Sequence, residues 1–430
     1  MSLKLRHFFL LFFLGVNQLA FAQGQGRSPY SSIGIGELTD ETIAAQDMMG
    51  GTGVSFSNMF YVNGLNPALL AKGRVVNGLK YVAYSVSGKG YFRNLEQNGT
   101  LGQDFGMNLS NLALAFPVSP KWSLGVSFKP YSMMDNEKVL NTHFQGSSSI
   151  ATYNFKDYGG LTKVGFTNSV NPIKGLFLGV EGQYYFGNIT KDTTMNFLGS
   201  GSYTRYTRRQ DLKGLSLKGG IAYQQKISKK WYANVGGTYQ LGNDVKGENI
   251  NIFRNLIETS GGGPAVSGNP DTLAITDFTT RLPSKYKVGV SIEKPFNWIF
   301  AAEYGLTNWN EVKNHFDKQA ANTLRNGTEM NFGIEWIPNV SSSSYFNQVF
   351  YRIGYRSVNT PYHINNTQIK DNSFTLGMSL PLGRGTNYLD LGVALGRRGT
   401  TSFGLVQENY AKISVSFSLT RDWFHRPRIN

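Results

Sequence analysis

Residues 121–129 alternate strictly: Trp122, Leu124, Val126 and Phe128 are apolar, whereas Ser123, Gly125, Ser127 and Lys129 are small or polar. A period of two sends successive side chains to opposite faces, so this stretch predicts a strand with one apolar face. The pattern returns at Leu389, Leu391, Val393 and Leu395 against Asp390, Gly392, Ala394 and Gly396, and again at Ile413, Val415, Phe417 and Leu419 between serines. Less regular copies run through Tyr286, Val288, Val290 and Ile292, through Met330, Phe332, Ile334 and Trp336, through Val349, Tyr351, Ile353 and Tyr355, and through Phe374, Leu376, Met378 and Leu380. Six short links, 118–121, 171–175, 228–230, 294–297, 338–346 and 381–387, tie the strands into hairpins, and five of them carry a proline. Adding a first strand near 75–90 and a last near 407–419 gives fourteen. The other connections are long: 92–101, 134–158, 189–210, 245–284, 311–326, 359–370 and 399–406. Short turns at one end, long loops at the other and an even strand number predict an all-β fold, a 14-stranded antiparallel transmembrane β-barrel of the outer-membrane type.

Tryptophan agrees with this topology. Trp122, Trp231, Trp298 and Trp336 fall beside short links and Trp423 follows the last strand, leaving Trp309 at a long one. Amphipathic rings collect at membrane interfaces, so five on one side predict a periplasmic girdle. The N-terminus reads as a signal peptide over 1–22, with Lys4 and Arg6 before an apolar run over 8–16 and Ala20, Phe21 and Ala22 at the cleavage site. A non-alternating segment over 23–73, the barrel over 74–419 and a tail over 420–430 complete the expected organisation.

Composition changes the picture in three ways. The net charge of +15 and 40% hydrophobic content look like a soluble basic protein, but strands with one face to lipid and one to a polar lumen average to the same totals. Fifty glycines exceed the roughly 7% typical share, and inward positions such as Gly125, Gly289, Gly333, Gly377 and Gly392 would leave room for a segment or ligand inside. There is no cysteine, hence no disulfide. The basic residues Lys191, Arg205, Arg208 and Arg209, beside Tyr203 and Tyr206, would face lipopolysaccharide phosphates on an exported barrel rather than nucleic acid. Catalysis, a cofactor and a metal site are not expected: His143, His315 and His363 lie in separate long loops, and His7 and His425 at the two ends.

The segment before the barrel contains Met49, Gly50, Gly51, Thr52 and Gly53, then Asn66, Pro67 and Ala68. Gly-Gly-x-Gly followed by Asn-Pro-Ala, ahead of fourteen strands, resembles the FadL-like outer-membrane transport proteins. The resemblance implies that 23–73 folds inside the barrel as a hatch, with Gly50, Gly51, Gly53, Asn66, Pro67 and Ala68 as its motif residues. It implies passive uptake of hydrophobic or amphipathic, fatty-acid-like molecules through a lateral port in the third strand, read as 121–133 and containing Gly125, Lys129 and Pro130. Pro130 lacks a ladder donor, so it marks either that port or the strand's extracellular end. Alternation puts Glu303, Glu335, Arg352, Arg356 and Asp390 in the lumen with Tyr185, Tyr232, Ile299 and Phe350, as hatch contacts in a solvated interior or as a greasy pocket with polar anchors. The sequence also resembles the shuttle barrels of type IX secretion, which implies a second reading as a non-transporting partner in an outer-membrane protein complex. Either way the expected setting is the Gram-negative outer membrane with both mature termini periplasmic, in contact with membrane lipid, lipopolysaccharide, a hydrophobic ligand and, in the second reading, protein partners.

Overall fold

A computed structural model describes residues 28–76, 78–143, 150–197, 201–258, 264–266, 271–315, 322–383 and 386–422. Fourteen wall strands form a closed antiparallel barrel: β1 Leu79–Gln97, β2 Thr100–Ser119, β3 Trp122–His143, β4 Ile150–Ile173, β5 Leu176–Phe197, β6 Ser202–Lys226, β7 in two pieces Tyr232–Gln240 and Asp244–Glu258, β8 in two pieces Asp271–Arg281 and Ser284–Lys294, β9 Trp298–Asn308, β10 Gly327–Trp336, β11 Phe350–Ile364, β12 Thr367–Pro381, β13 Tyr388–Gly399 and β14 Gln407–Asp422. Closure is by β14 on β1, from Gln407 opposite Glu96 to Asp422 opposite Tyr81. The burial pattern is the inverse of a soluble sheet. Val126 and Phe128 are exposed on the outer face, whereas Ser123, Ser127 and Lys129 are buried on the inner one, as a wall between lipid and a filled lumen requires.

The expected long loops are mostly strand. The stretch 134–158 carries β3 on to His143 and starts β4 at Ile150, so Pro130 is not the end of its strand. Strands β3 to β6 reach 22, 24, 22 and 25 residues, against 11 for β9 and 10 for β10. The wall therefore stands much taller over β3–β8. These extensions lack the apolar–polar alternation that marks the lower strands, as strands that need no apolar face do. Two other expected loops are tight hairpins. Asn98 and Gly99 have φ 49° and 78°, and Asn365 and Asn366 have φ 48° and 58°, the pairs of positive values that two-residue hairpin turns demand. At the last strand, 420–422 continue β14, so the tail expected from 420 begins no earlier than 423, outside the described residues. Gly261, Gly262 and Gly263 lie outside them too, as does the His315 side chain.

Two of the five tryptophans expected in the girdle meet on neighbouring strands, and Trp423 lies outside the described residues. Trp298 stacks on Trp336 with centroids 5.7 Å apart, and Trp336 lies 5.6 Å from Tyr351. Trp309 has a different place: it is fully buried toward the opposite end, in one apolar cluster with Tyr30, Tyr131, Tyr185 and Tyr362.

A polar wall with a buried inner face needs something to bury it, and the N-terminal segment does so. Ser28 lies beside Asp135 and Glu408, near the ends of β3 and β14 that are farthest from the short turns. From there the chain descends through the lumen to Lys72, which meets Glu293 close to the short turns, and enters β1. The mature termini expected at the short-turn end, from residue 23 and at 430, lie outside the described residues.

Candidate functional site

Among the described residues the wall has a seam between β2 and β3. Strands β2 and β3 pair from Ser119 opposite Trp122 only as far as Leu112 opposite Phe128. Beyond that, β3 stays paired to β4 up to His143 and β2 stays paired to β1 up to Thr100, so the two neighbours part. Both strands are irregular at that point: Ser110 is the extra residue of a bulge in β2, and Tyr131, directly after Pro130, is the extra residue of one in β3. Bulges bend a strand and end pairing, and a proline offers no N–H to restore it. Gly125 sits just below, where an added Cβ would come within 2.8 Å of Leu70 of the N-terminal segment.

That segment covers the freed edge of β3. Glu37 and Leu38 form a two-residue strand opposite Met133 and Ser132. The Thr39 amide donates to the Tyr131 carbonyl at 2.9 Å, its hydroxyl donates to the Pro130 carbonyl at 2.6 Å, and the Ser28 amide donates to the Asp135 carbonyl at 3.1 Å. Lys129, named from its place beside Pro130, points inward and pairs with Glu41 at 4.0 Å.

The two motifs have local jobs. Gly50, Gly51 and Gly53 adopt φ 68°, 85° and 153°, which gives the chain a tight reversal after the helical turn Ala44–Asp47. Asn66 accepts from the Ala68 amide and so caps the short helix Pro67–Ala71, while its amide group donates to the Val54 and Ile221 carbonyls. Each motif rests in a notch made by two glycines opposite one another on neighbouring strands. Gly333 and Gly354 receive Met49 and Gly50, and Gly179 and Gly220 receive Asn66, Pro67 and Ala68. A third pair, Gly377 and Gly392, receives the Met48 side chain. The abundant glycine is therefore used for close approach of backbone to backbone. Gly289 differs, since a Cβ there would meet Glu303 of the wall instead.

Charge holds the segment as firmly as shape. Glu41 is ringed by Lys163 at 2.6 Å, Lys218 at 3.1 Å and Lys129 at 4.0 Å. Asp47 meets Lys89 at 3.0 Å and Lys412 at 3.3 Å, Asp40 meets Arg356 at 2.7 Å, and Glu37 meets Arg398 at 2.6 Å. From the wall, Glu303 accepts the Gly53 and Val54 amides at 2.6 Å each. Glu335 and Arg352 pair at 2.6 Å, and Asp390 accepts from Ser416 at 2.6 Å and Ser418 at 3.0 Å as well as from Ser379. Burial alone would raise the Glu41 carboxyl, but Lys163, Lys218 and Lys129 outweigh it and hold the group well below its ordinary 4.5. Asp47 is lowered in the same way, burial being outweighed by Lys412 and Lys89. A lowered carboxyl contributes stability that is complete above the ordinary carboxylate range and is lost as pH falls through the lowered value. The seated segment is therefore expected to be firm at pH 7 and to loosen below about pH 4. Planar-bilayer recordings that gain conductance on acidification would bear this out, and recordings unchanged down to pH 3 would contradict it.

A cavity of about 220 Å³ lies beside the segment. Glu37–Thr42 of the segment, Arg93, Lys218, Lys285, Lys287, Arg356, Arg398 and Lys412 border it with Glu329, Asp371 and Glu408. Of the lumen residues named from alternation, Arg356 lines it. The aromatic and aliphatic ones do not; the apolar lining comes instead from Leu38, Leu65, Tyr91, Leu306, Trp309 and Tyr362. Phe350 packs on Phe60 and Tyr388, Ile299 on Met49 and Phe56, and Tyr185 lies edge-on to Tyr131 at 4.7 Å. Tyr232 is half-buried opposite Glu293 near the short turns. They point inward as expected, but the N-terminal segment and its surroundings occupy them. Sequence reasoning missed the lysine ring around Glu41. Its signal was present as Glu41 in the segment and lysines at inward positions 129, 163 and 218 of the wall.

The fold is shared with solved channels. The Pseudomonas putida toluene transporter TodX aligns with TM-score 0.58 at 12% identity over 90% of this chain and 100% of its own. A monoaromatic hydrocarbon channel, CymD, aligns at 0.54 and 12% over 91% and 99%, and a Pseudomonas aeruginosa FadL homologue at 0.55 and 13% over 90% and 100%. At such identities the likeness is one of architecture: the FadL-like 14-stranded barrel. No curated protein matches the chain significantly. A protein-family model described as BamG matches residues 4–430, and with that span the chain belongs to the BamG family.

Proposed function

We propose that the protein is a passive outer-membrane channel for hydrophobic or amphipathic small molecules, which pass between the luminal cavity and the outer leaflet through the β2–β3 seam. The short-turn end is then periplasmic and the tall strands are extracellular. The observation that carries this reading is the parting of β2 and β3 above Leu112 and Phe128, with a segment of the same chain, rather than the wall, on the freed edge. Channels named for toluene and monoaromatic hydrocarbons share the architecture, which supports an apolar cargo. The charged border of the cavity favours a cargo that also has a polar or ionised head, a fatty-acid-like molecule among them.

The test fixes the covering strand to the edge. Leu38 and Ser132 face one another, and the native chain has no cysteine, so Leu38→Cys with Ser132→Cys provides a clean redox lock. Uptake of a labelled amphipathic acid is expected to fall at least about tenfold on oxidation and to recover on reduction. Unchanged uptake in fully oxidised protein removes the seam as the route.

A second reading, a closed barrel serving as a subunit of an outer-membrane protein complex, is favoured by the paired-glycine notches and buried ion pairs, which leave little freedom for the lumen to open. Under that reading the oxidised lock has no effect, and mild-detergent extraction yields stoichiometric protein partners.

A further inference from the structure

Charge at the short-turn end is one-sided. Lys80 at the foot of β1, Lys121 between β2 and β3, Lys174 between β4 and β5, and Lys226, Lys229 and Lys230 around the β6–β7 turn occupy successive turns along half the rim. All but Lys80 are exposed. Among the described residues the acids at this end are Glu293, Glu335 and Asp390, all buried on the inner face and bonded there to Lys72, Arg352 and Ser416 respectively, and Asp422, which is exposed and adjoins Arg421. Toward the opposite end some cations have acids beside them, as exposed Arg209 has Asp211 at 2.9 Å and half-buried Arg281 has Asp244 at 3.1 Å.

The height of these lysines identifies what they meet. Lys121 directly precedes Trp122 and Lys230 directly precedes Trp231, so the ammonium groups stand at the level of the girdle rings, which is the level of lipid head groups. Two are fastened to the wall across neighbouring turns: Lys80 donates to the Val118 carbonyl at 2.9 Å and Lys121 to the Pro172 carbonyl at 3.4 Å. An arc of cations lying in the head-group plane, with exposed acids almost absent, is matched by a layer of phosphates already at that height.

We propose that this arc binds the head groups of anionic phospholipids in the leaflet at the short-turn end. The inference rests on the membrane orientation given above, in which that leaflet is the periplasmic one, but not on any transported cargo. It gives the barrel a selective lipid contact on β1–β7, the half that also contains the seam.

The test uses the full chain purified in neutral detergent and exchanged into nanodiscs containing either phosphatidylcholine alone or phosphatidylcholine with phosphatidylglycerol. Phosphatidylglycerol retained after re-extraction is expected to fall about tenfold in a variant combining Lys121→Gln, Lys174→Gln, Lys226→Gln, Lys229→Gln and Lys230→Gln, and to fall in the wild type when salt is raised. A second variant, Arg205→Gln with Arg209→Gln and Lys213→Gln at the other end, is expected to retain phosphatidylglycerol like the wild type. Equal retention of the two lipids by the wild type overturns the proposal. So does loss confined to the second variant, or displacement of a co-purifying acidic protein by the first while lipid retention is unchanged. Seam uptake measured on the first variant separates the two readings, because lipid binding can fail there while transport persists.

Discussion

Glu41→Gln is expected to destabilise the seated N-terminal segment by about 3–5 kcal/mol, the cost of removing one partner from a buried ionic cluster. Glu41 is the carboxylate shared by Lys129, Lys163 and Lys218, all three nearly fully buried on the inner wall. Glutamine fills the same space and keeps hydrogen-bonding capacity, so the loss is one of charge. Three ammonium groups would be left in the interior with Glu181, which faces Lys218 across the β5–β6 ladder and attracts Lys129, as a remaining carboxylate, and the cations it does not balance would have to draw in water or give up a proton. Guanidinium unfolding in detergent, with protease cleavage inside 28–73 as the local readout, should show the segment released well before the wall. Combining Glu41→Gln with Lys163→Gln should recover part of the loss, because the closest of the three cations goes with the anion. A change below about 1 kcal/mol would mean that the ring is solvated and behaves as an exposed ion pair.

The wall was legible because lipid on one side and a filled lumen on the other impose a period of two on every crossing strand. That rule put Glu303, Glu335, Arg352, Arg356 and Asp390 inside, where they are. It fails in the tall extensions, which lack that alternation. The extensions of β3 to β8 consequently read as loop, although Asn98-Gly99 was a hairpin signal in its own right. Pro130 lies two residues beyond the last β2–β3 pair and is still paired to β4, and the sequence did not show what covers the freed edge, because Glu37 and Leu38 are too short a strand to show any pattern. The cavity was the least legible part. Inward direction can be read from alternation, but whether an inward side chain faces open space or the segment depends on where that segment runs. Phe350 and Ile299 were placed correctly by direction and incorrectly by environment.

Gly354→Ala tests how far the segment's seat depends on the absence of a single carbon. Gly354 faces Gly333 across the β10–β11 ladder, and the notch between them holds Met49 and Gly50. A Cβ at 354 would fall on the Gly50 amide, while one at 333 would come within 2.5 Å of the Met49 carbonyl oxygen. Both obstacles are backbone, and Gly50 is itself committed to φ 68°, so no side-chain rotation relieves them. The Met49–Gly50 reversal has to lift, which also strains the bonds from Glu303 to the Gly53 and Val54 amides three residues on. Overpacking of this kind costs about 1–3 kcal/mol, and here the cost falls on the contact between segment and wall rather than on the wall. Gly182→Ala is the matched control, since a Cβ at that position meets nothing within 4 Å. Gly354→Ala should raise protease access to 28–73 and bilayer conductance at pH 7 while the barrel's unfolding midpoint shifts little. Gly182→Ala should change neither. Equal behaviour of the two variants would show that the glycine notches do not seat the segment, and that its hold on the lumen rests on the ion pairs alone.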